Sequence, residues 1–567
     1  MPDHIIFIFY IKLFIFSTVG YGFIFSRFIN KELFVLNIGY QGIIGFFFLS
    51  LISMLTSFFV PHNFYFNSLI HLIGLSFFLN FYLKSKNKND FKLLFLIFLT
   101  LIIGAYVFKN HDDFPYYHLT YTLNLSQNSF IIGTGIFSHG FRTFSSLFYY
   151  HSLLYLPFIE YYLFHIGPFL ILLFFNCSII ISLKKKFKKN DFGFIYFFSI
   201  ISLVFINIVF YRIGEHGTDR SAQILLILIF LLLFEILYFQ KDKKDILLSL
   251  NILLIIIFLA SSMKAIYYLY LILIPIIFYK KKFYEIFILQ KNNLLIFFLI
   301  LSLSLNFLTN FLNTGCFLYP SERTCIIKTD WSIPKEEVKQ MAIHYEWWAK
   351  AGGGAGYSHE LEKEEYIKKF NWLSNWIDRH FFNKISDTLL GVFLICFLVY
   401  IFAKKISSAK KKIKRKSNID YIAYLIPLIF LIEWFLNHPS MRYGGYILIA
   451  LPFIIMTSFL INNLSIKKNQ IYLFTISFII ISLLIYNVRN IHRLNKEIVF
   501  YEYNIKQSPY FFVEDVKFNK VHQNEDFKIY STLDNKMCWA TKTPCSYHKK
   551  IKSKNFLWMK MVTRDDK

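Results

Sequence analysis

The sequence predicts an all-α polytopic membrane protein with about fourteen transmembrane helices. Three observations carry that reading. The 567 residues are 56% hydrophobic and 20% aromatic, with mean hydropathy +0.47, which is too apolar for a soluble protein of this length. Runs long enough to cross a hydrocarbon core of about 30 Å recur along almost the whole chain, and they are continuous where barrel strands would alternate. Helices are therefore selected, because a helix satisfies its own backbone in lipid. Finally, lysine gathers in short loops at 84–90, 184–189, 240–245, 280–282 and 404–416, the pattern of cytoplasmic loops. A formal charge of +26 would suggest nucleic acid in a soluble protein. Here the placement of the lysines, in loops at one membrane face, excludes nucleic acid as a partner.

With each basic loop placed inside, spans fall near 4–25, 33–60, 65–83, 91–108, 152–183, 192–211, 221–240, 246–261, 265–279, 293–312, 384–403, 419–437, 444–464 and 470–488. The first run has no basic segment before it and no small-residue cleavage pattern after it, so it is kept as a span. The pair at 246–279 is kept as two, because one broken helix would invert every later loop. Six stretches result: N-terminal helices (1–108), an extracytoplasmic active-site loop (109–151), helices (152–312), an extracytoplasmic loop and lid (313–383), helices (384–488) and a small extracytoplasmic C-terminal region (489–567).

Cysteines test this topology independently. Cys177 and Cys396 fall inside spans as small apolar residues. Cys316 with Cys325, and Cys538 with Cys545, form close pairs on the face opposite the lysines, which suggests disulfides in an oxidising compartment. Zinc is disfavoured by the absence of CxxC spacing. Between the pairs, the 313–383 segment reads as a disulfide-closed turn, a helix, the glycine hinge AGGGAG and a second amphipathic helix. Its tryptophans Trp347, Trp348, Trp372 and Trp376 suit either headgroups or stacking on a sugar ring. The tail alternates apolar and polar residues around Phe527 to Leu533, as a small domain with some strand would.

The densest group of ionisable residues outside the lysine loops lies at 109–146: His111, Asp112, Asp113, His118, His139 and Arg142. A carboxylate just beyond a span is placed to take a proton from a hydroxyl nucleophile. Asp112 and Asp113 cannot both face one substrate from a single helical turn. One faces the site and the other caps the helix starting near Pro115. One carboxylate suffices when the leaving group is a stable anion, as a lipid phosphate is. Such a group calls instead for positive charge and donors where the charge develops. Arg142, Arg212, Arg220, Arg323 and Arg442 supply these, with His216 and His438 near them, and the arginine fork suits phosphate. His111, Asp112, Asp113, His118 and His216 are also ligand types for Mg²⁺ or Mn²⁺. Glu160 and Lys264 lie in apolar runs, where ionisable residues are functional candidates.

Asp113-x-x-x-Tyr117-His118, the glycine turn Gly133 to Gly135, His139-Gly140-Phe141-Arg142 and Ser145-Ser146 resemble a group of bacterial GT-C-like envelope membrane proteins. Together with the many spans, the arginine-bearing loops and the non-cytoplasmic C-terminal region, they look like the GT-C superfamily of integral membrane glycosyltransferases. Beyond 113–146 the match is in topology alone. The resemblance implies a GT-C-like fold, a loop aspartate as base, best matched by Asp113, and a sugar donor carried on polyprenyl phosphate. It also implies residence in a bacterial inner membrane. The sequence departs from the superfamily by placing four spans before the motif and by doubling the aspartate. The expected protein is an inverting glycosyltransferase moving a sugar from polyprenyl phosphate to an envelope glycan, lipid or protein acceptor, with substrate contacts from His111, Tyr117, His118, His139, Arg142, Arg212, Arg220 and Arg442. An O-antigen polymerase or ligase, a flippase of lipid-linked saccharides and a scaffold subunit remain as alternatives.

Overall fold

The computed structural model describes all residues except 1, 31, 86–87, 216, 240–241, 282–292, 327, 353–358, 408–421, 524–526, 534–536, 549 and 565–567. His216 and most of the AGGGAG hinge therefore lie outside the described residues. The chain is mostly helical. Among the described residues ten helices are long and apolar enough to cross a membrane by length and composition, as expected of a multi-pass membrane protein. These are Asp3–Ile29, Ile38–Ser57, Phe64–Lys84, Ile166–Lys188, Gly217–Phe239, Lys243–Met263, Leu294–Thr314, Leu373–Lys405, Gly445–Asn462 and Lys468–Tyr501. Three shorter apolar helices, Phe194–Val209, Ala265–Tyr279 and Ala423–Asn437, and the helix Asn89–Leu101 occupy the remaining apolar runs. Several starts are written locally: Asn37, Asn63 and Asp242 each accept a hydrogen bond from a backbone N–H of the first turn they precede.

The helix connections fall into two groups by the contacts that they make. The lysine-bearing ends are tied to one another: Lys186 pairs with Glu235 at 2.9 Å, Lys244 with Glu32 at 3.2 Å, and Lys468 lies 5.4 Å over the Phe187 ring. The 109–151 loop, the 313–383 segment and the C-terminal region meet at the other end. Helices Ile166–Lys188 and Lys243–Met263 are 89% buried over their apolar windows, against 22% for Phe64–Lys84 and 28% for Leu373–Lys405. The former pair is thus central and the latter pair peripheral.

Two boundaries differ from the hydropathy reading, and one expected break is present. Residues 153–165 are turns and the helix starts only at Ile166, with Pro168 in its first turn, where a missing N–H costs nothing. Glu160 consequently lies exposed in a turn at φ 42°, outside the span expected to hold it. The break expected between 261 and 265 is present at Lys264, whose extended backbone (φ −156°, ψ 131°) ends one helix before a 3-10 turn, Ala265–Ile272, opens the next. This residue is therefore at a helix break and not within a continuous run. The last helix continues to Tyr501, well past 488.

Short strands belong to the loop and tail. β1 (Ile131–Ile132) pairs in parallel with β5 (Met559–Arg564), which pairs antiparallel with β4 (Ile551–Phe556). β2 (Phe518–Gln523) and β3 (Lys528–Thr532) form a separate antiparallel pair. Gly133 lets β1 approach β5, since φ is 82° and a Cβ there would sit 2.5 Å from the Val562 carbonyl oxygen. Both expected disulfides are present, Cys316–Cys325 and Cys538–Cys545, and Cys177 and Cys396 are buried free thiols. The tail is built onto the 109–151 loop: Trp539 N–H donates to the Pro115 carbonyl at 3.3 Å and Tyr547 N–H to the Phe137 carbonyl at 3.0 Å.

Candidate active site

Asp113 occupies the N-cap position of a short wide turn, Phe114–His118, yet its side chain caps nothing. Its carboxylate instead accepts from Arg442 Nη2 at 3.0 Å. Arg442 stands in a 3-10 turn, Met441–Tyr443, closed by Gly444 at φ 98° and held by Gln223, whose Nε2 donates to the carbonyls of Met441 and Arg442 at 3.1 and 3.2 Å. Only a residue tolerant of positive φ lets that turn run directly into the helix Gly445–Asn462. The Arg442 Nε donates to Asp219 at 2.7 Å, and Lys264 reaches the other oxygen of the same Asp219 carboxylate. The result is a chain of alternating charge, Asp113, Arg442, Asp219 and Lys264, drawn from four separate parts of the sequence.

Charge alternation is what allows these groups to lie so deep, because each buried ion has an opposite partner. Burial alone would raise the Asp113 carboxyl pKa. The guanidinium of Arg442, the nearby His118 and His111, and the Arg442 hydrogen bond outweigh it, and hold the carboxyl below its ordinary value. Asp113 is thus an anion at neutral pH. His118 is its opposite: burial, partly offset by Asp113, lowers its pKa to about 4, which leaves a neutral imidazole.

Asp113, Lys264 and Arg442 open on a cavity of about 450 Å³ at the non-lysine end of the bundle. Tyr117, Tyr319, Tyr345, Trp348 and Tyr443 give it aromatic walls, and His139, His344 and His438 supply polar groups. The Arg442 guanidinium lies 5.1 Å from the Trp348 ring centre, a stacked arrangement that fixes both planes. His139 is oriented by Tyr116, whose hydroxyl is 2.7 Å from Nδ1. Such a chamber, apolar in wall and ionic in floor, suits a ring-shaped polyhydroxylated molecule that ends in an anion.

The other expected site residues lie elsewhere. Asp112 is exposed and, with His111 and Arg212, faces a second cavity. Arg212 grips Glu215 through two bonds from Nε, at 2.9 and 2.8 Å. Arg142 is buried, donating from Nε to the Gly135 carbonyl at 2.9 Å and from Nη2 to Glu337 at 2.6 Å. Its charge is met by Glu337, and it ties the loop to the helix Lys335–Lys350. Arg220 lies half-buried over the rings of Phe210 and Tyr446, and Arg323 is exposed in a turn. Trp372 and Trp376 are buried against Phe435, with Trp376 Nε1 donating to the Pro439 carbonyl at 2.7 Å, so neither rests on headgroups. His111 Nδ1 lies 3.5 Å from Asp113 Oδ2, but Asp112 does not join them as a third Mg²⁺ or Mn²⁺ ligand would. Asp112 points to the second cavity, and among the described residues no three His, Cys, Asp or Glu side chains gather to hold a metal ion.

Asp219 and the partnership of Lys264 with it were not read from the sequence. A usable signal exists, since Asp219 is the one acid of the helix Gly217–Phe234, at the head of its long apolar run, where an ionisable residue calls for a partner.

Residues 5–449 match the model of a family described as a domain of unknown function, DUF8201. The chain belongs to that family. No curated protein and no solved structure matches it. The match covers the 109–151 loop, Asp219, Lys264 and Arg442, so the whole ionic cluster falls within the family's extent, and the tail that packs on it lies beyond.

Proposed function

We propose that the protein is an inverting GT-C-like glycosyltransferase of a bacterial inner membrane, with the lysine loops cytoplasmic and about fourteen spans, using a sugar carried on polyprenyl phosphate. One observation carries the reading: an ionised carboxylate, Asp113, and a fixed guanidinium, Arg442, share one aromatic-walled cavity at the end of the bundle opposite the lysines. In the reaction an acceptor hydroxyl oxygen attacks the anomeric carbon, its proton passes to Asp113, and the bond from that carbon to the phosphate oxygen breaks. The phosphate leaves with the electron pair, and neither oxidant nor metal enters the balance. Arg442 and Lys264 offer the N–H donors toward which the departing charge develops. Asp219 holds both cations in place and moderates their charge.

The Asp113–Arg442 pair has a consequence for the proton transfer. A carboxylate with a depressed pKa is a weak base in solution, so its contribution comes from position, next to a hydroxyl whose acidity rises as the bond to carbon forms. The aromatic walls exclude water, which would otherwise compete as acceptor. Membranes containing wild-type protein, supplied with polyprenyl-phosphate sugars and an envelope extract, should release free polyprenyl phosphate, and membranes with Asp113→Asn at equal protein level should not. Equal release from both would remove Asp113 as the base.

A further inference from the structure

The doubled aspartate divides between two cavities. While Asp113 faces the aromatic chamber, the stretch just before it, 109–112, lines a second cavity of about 390 Å³ with Tyr211, Arg212 and the outer part of the last helix. Six basic side chains border this space: Lys109, Arg212, Arg489, His492, Arg493 and Lys496. Three carboxylates oppose them, and two of these are already matched. Glu215 is held by Arg212 and lies 3.6 Å from Arg493, while Glu497 accepts from Arg493 Nη1 at 2.8 Å and from the Phe108 N–H at 2.9 Å. Lys109, Arg489 and Lys496 form no ion pair among the described residues. Arg489 is pinned with its guanidinium carbon 3.9 Å from the Tyr211 ring centre, and its Nη1 donates to the Ile208 carbonyl at 2.5 Å, which leaves the rest of the fork to a ligand.

The depth of the cavity identifies the ligand class. The last helix, Lys468–Tyr501, has 34 residues and is longer than a bilayer core. From Lys468, at the lysine end, to Arg489 the helix rises about 32 Å at about 1.5 Å per residue, close to the core thickness of about 30 Å. The intervening surface is apolar and exposed at Ile480, Ile481, Leu484 and Val488. Arg489 is therefore the first cation on the far side of the hydrocarbon, level with headgroup phosphates, and the other basic groups stand around it.

We infer that this second cavity binds a phosphate-bearing group, separately from the ligand of the Asp113 chamber. The inference goes beyond the transferase reading and holds whether or not that reading does. Arg489 supplies a planar bidentate contact, Lys109 and Lys496 close over the phosphate from exposed positions, and the Arg493 lattice with Glu215 and Glu497 keeps the floor rigid. The source of the phosphate is a membrane lipid headgroup or a free phosphate, and the chemistry of recognition is the same for both.

The test is calorimetric titration of the full chain, in an uncharged detergent, with short-chain phosphatidic acid and separately with inorganic phosphate. Wild type should bind phosphatidic acid at one saturable site, and Lys109→Gln/Lys496→Gln, whose changes lie at exposed tips, should weaken it by about tenfold. Arg489→Gln should weaken it further, and Lys264→Met, which alters only the other chamber, should leave it unchanged. Preference for phosphatidic acid over inorganic phosphate supports a lipid headgroup, and equal binding supports a free phosphate. Binding of neither probe by wild type, equal binding by wild type and Lys109→Gln/Lys496→Gln, or loss in Lys264→Met would overturn the site.

Discussion

Asp113 and Arg442 stand 329 positions apart in the sequence and meet at 3.0 Å, and the reactivity assigned to the cavity depends on that single contact. Its pH behaviour follows from the direction of the shift. A carboxyl held below its ordinary value keeps the pair intact above the usual carboxylate range, and the pair is lost only as pH falls through the lowered value. Activity that needs ionised Asp113 should therefore persist down to about pH 4. Replacing Arg442 by Gln removes the main opposing charge and leaves burial to act, so the acid limb of the residual activity should move to higher pH. A pH profile of Arg442→Gln with its acid limb unmoved would mean that Asp113 does not titrate in the rate-limiting step. The neighbouring aspartate shows why the sequence could not distinguish the two. Both precede Pro115 and both satisfy the cap pattern, but only the packing of the Met441–Tyr443 turn on 109–113 selects which carboxylate is turned inward.

Among the elements, the helix Lys335–Lys350 is tied to its neighbours by one ionic clamp. Glu337 accepts from Arg142 Nη2 and from Arg564 Nη2, each at 2.6 Å, and so joins the lid helix to the loop on one side and to β5 on the other. Burial would raise the Glu337 carboxyl pKa, yet the two arginines hold it below its ordinary value, which keeps the clamp charged at neutral pH. Glu337→Gln should speed amide hydrogen exchange in Lys335–Lys350 at neutral pH, with little change in the central helices. Exchange unchanged along that helix would mean that its apolar contacts suffice to seat it. Arg142 was legible as a loop arginine with a purpose, but its partner was not, because an arginine aimed at phosphate and one aimed at a carboxylate have the same local sequence. Helix placement was far more legible. Apolar runs with Asn or Asp caps gave positions close to the observed ones, including the break at Lys264, and departures occurred at Pro157 to Pro168 and past 488 in the last helix.

Over the whole molecule, the basic inter-helix loops mark one end of the bundle, and the Asp113 cavity opens at the other. The cysteine pairs, which fall only at the second end, were readable from spacing and parity. The Asp219–Lys264 pair was not, since Asp219 reads as one of several charges in the 212–220 loop and Lys264 as a lone charge between two apolar runs, and only the fold brings them together. Nor could the packing of the C-terminal region on the 109–151 loop be seen, because β1 to β5 pairing joins segments far apart in the sequence. The central claim, that Asp113 at this end of the bundle transfers a proton during glycosyl transfer, is tested most directly by one comparison. Envelope glycans would be profiled from cells with wild-type protein, with the gene deleted, and with Asp113→Asn protein present at wild-type level in the membrane. The account predicts that deletion and Asp113→Asn lose the same single sugar. A profile that changes on deletion while Asp113→Asn matches wild type would contradict it, and would leave a protein that moves or scaffolds the glycan without forming its bond.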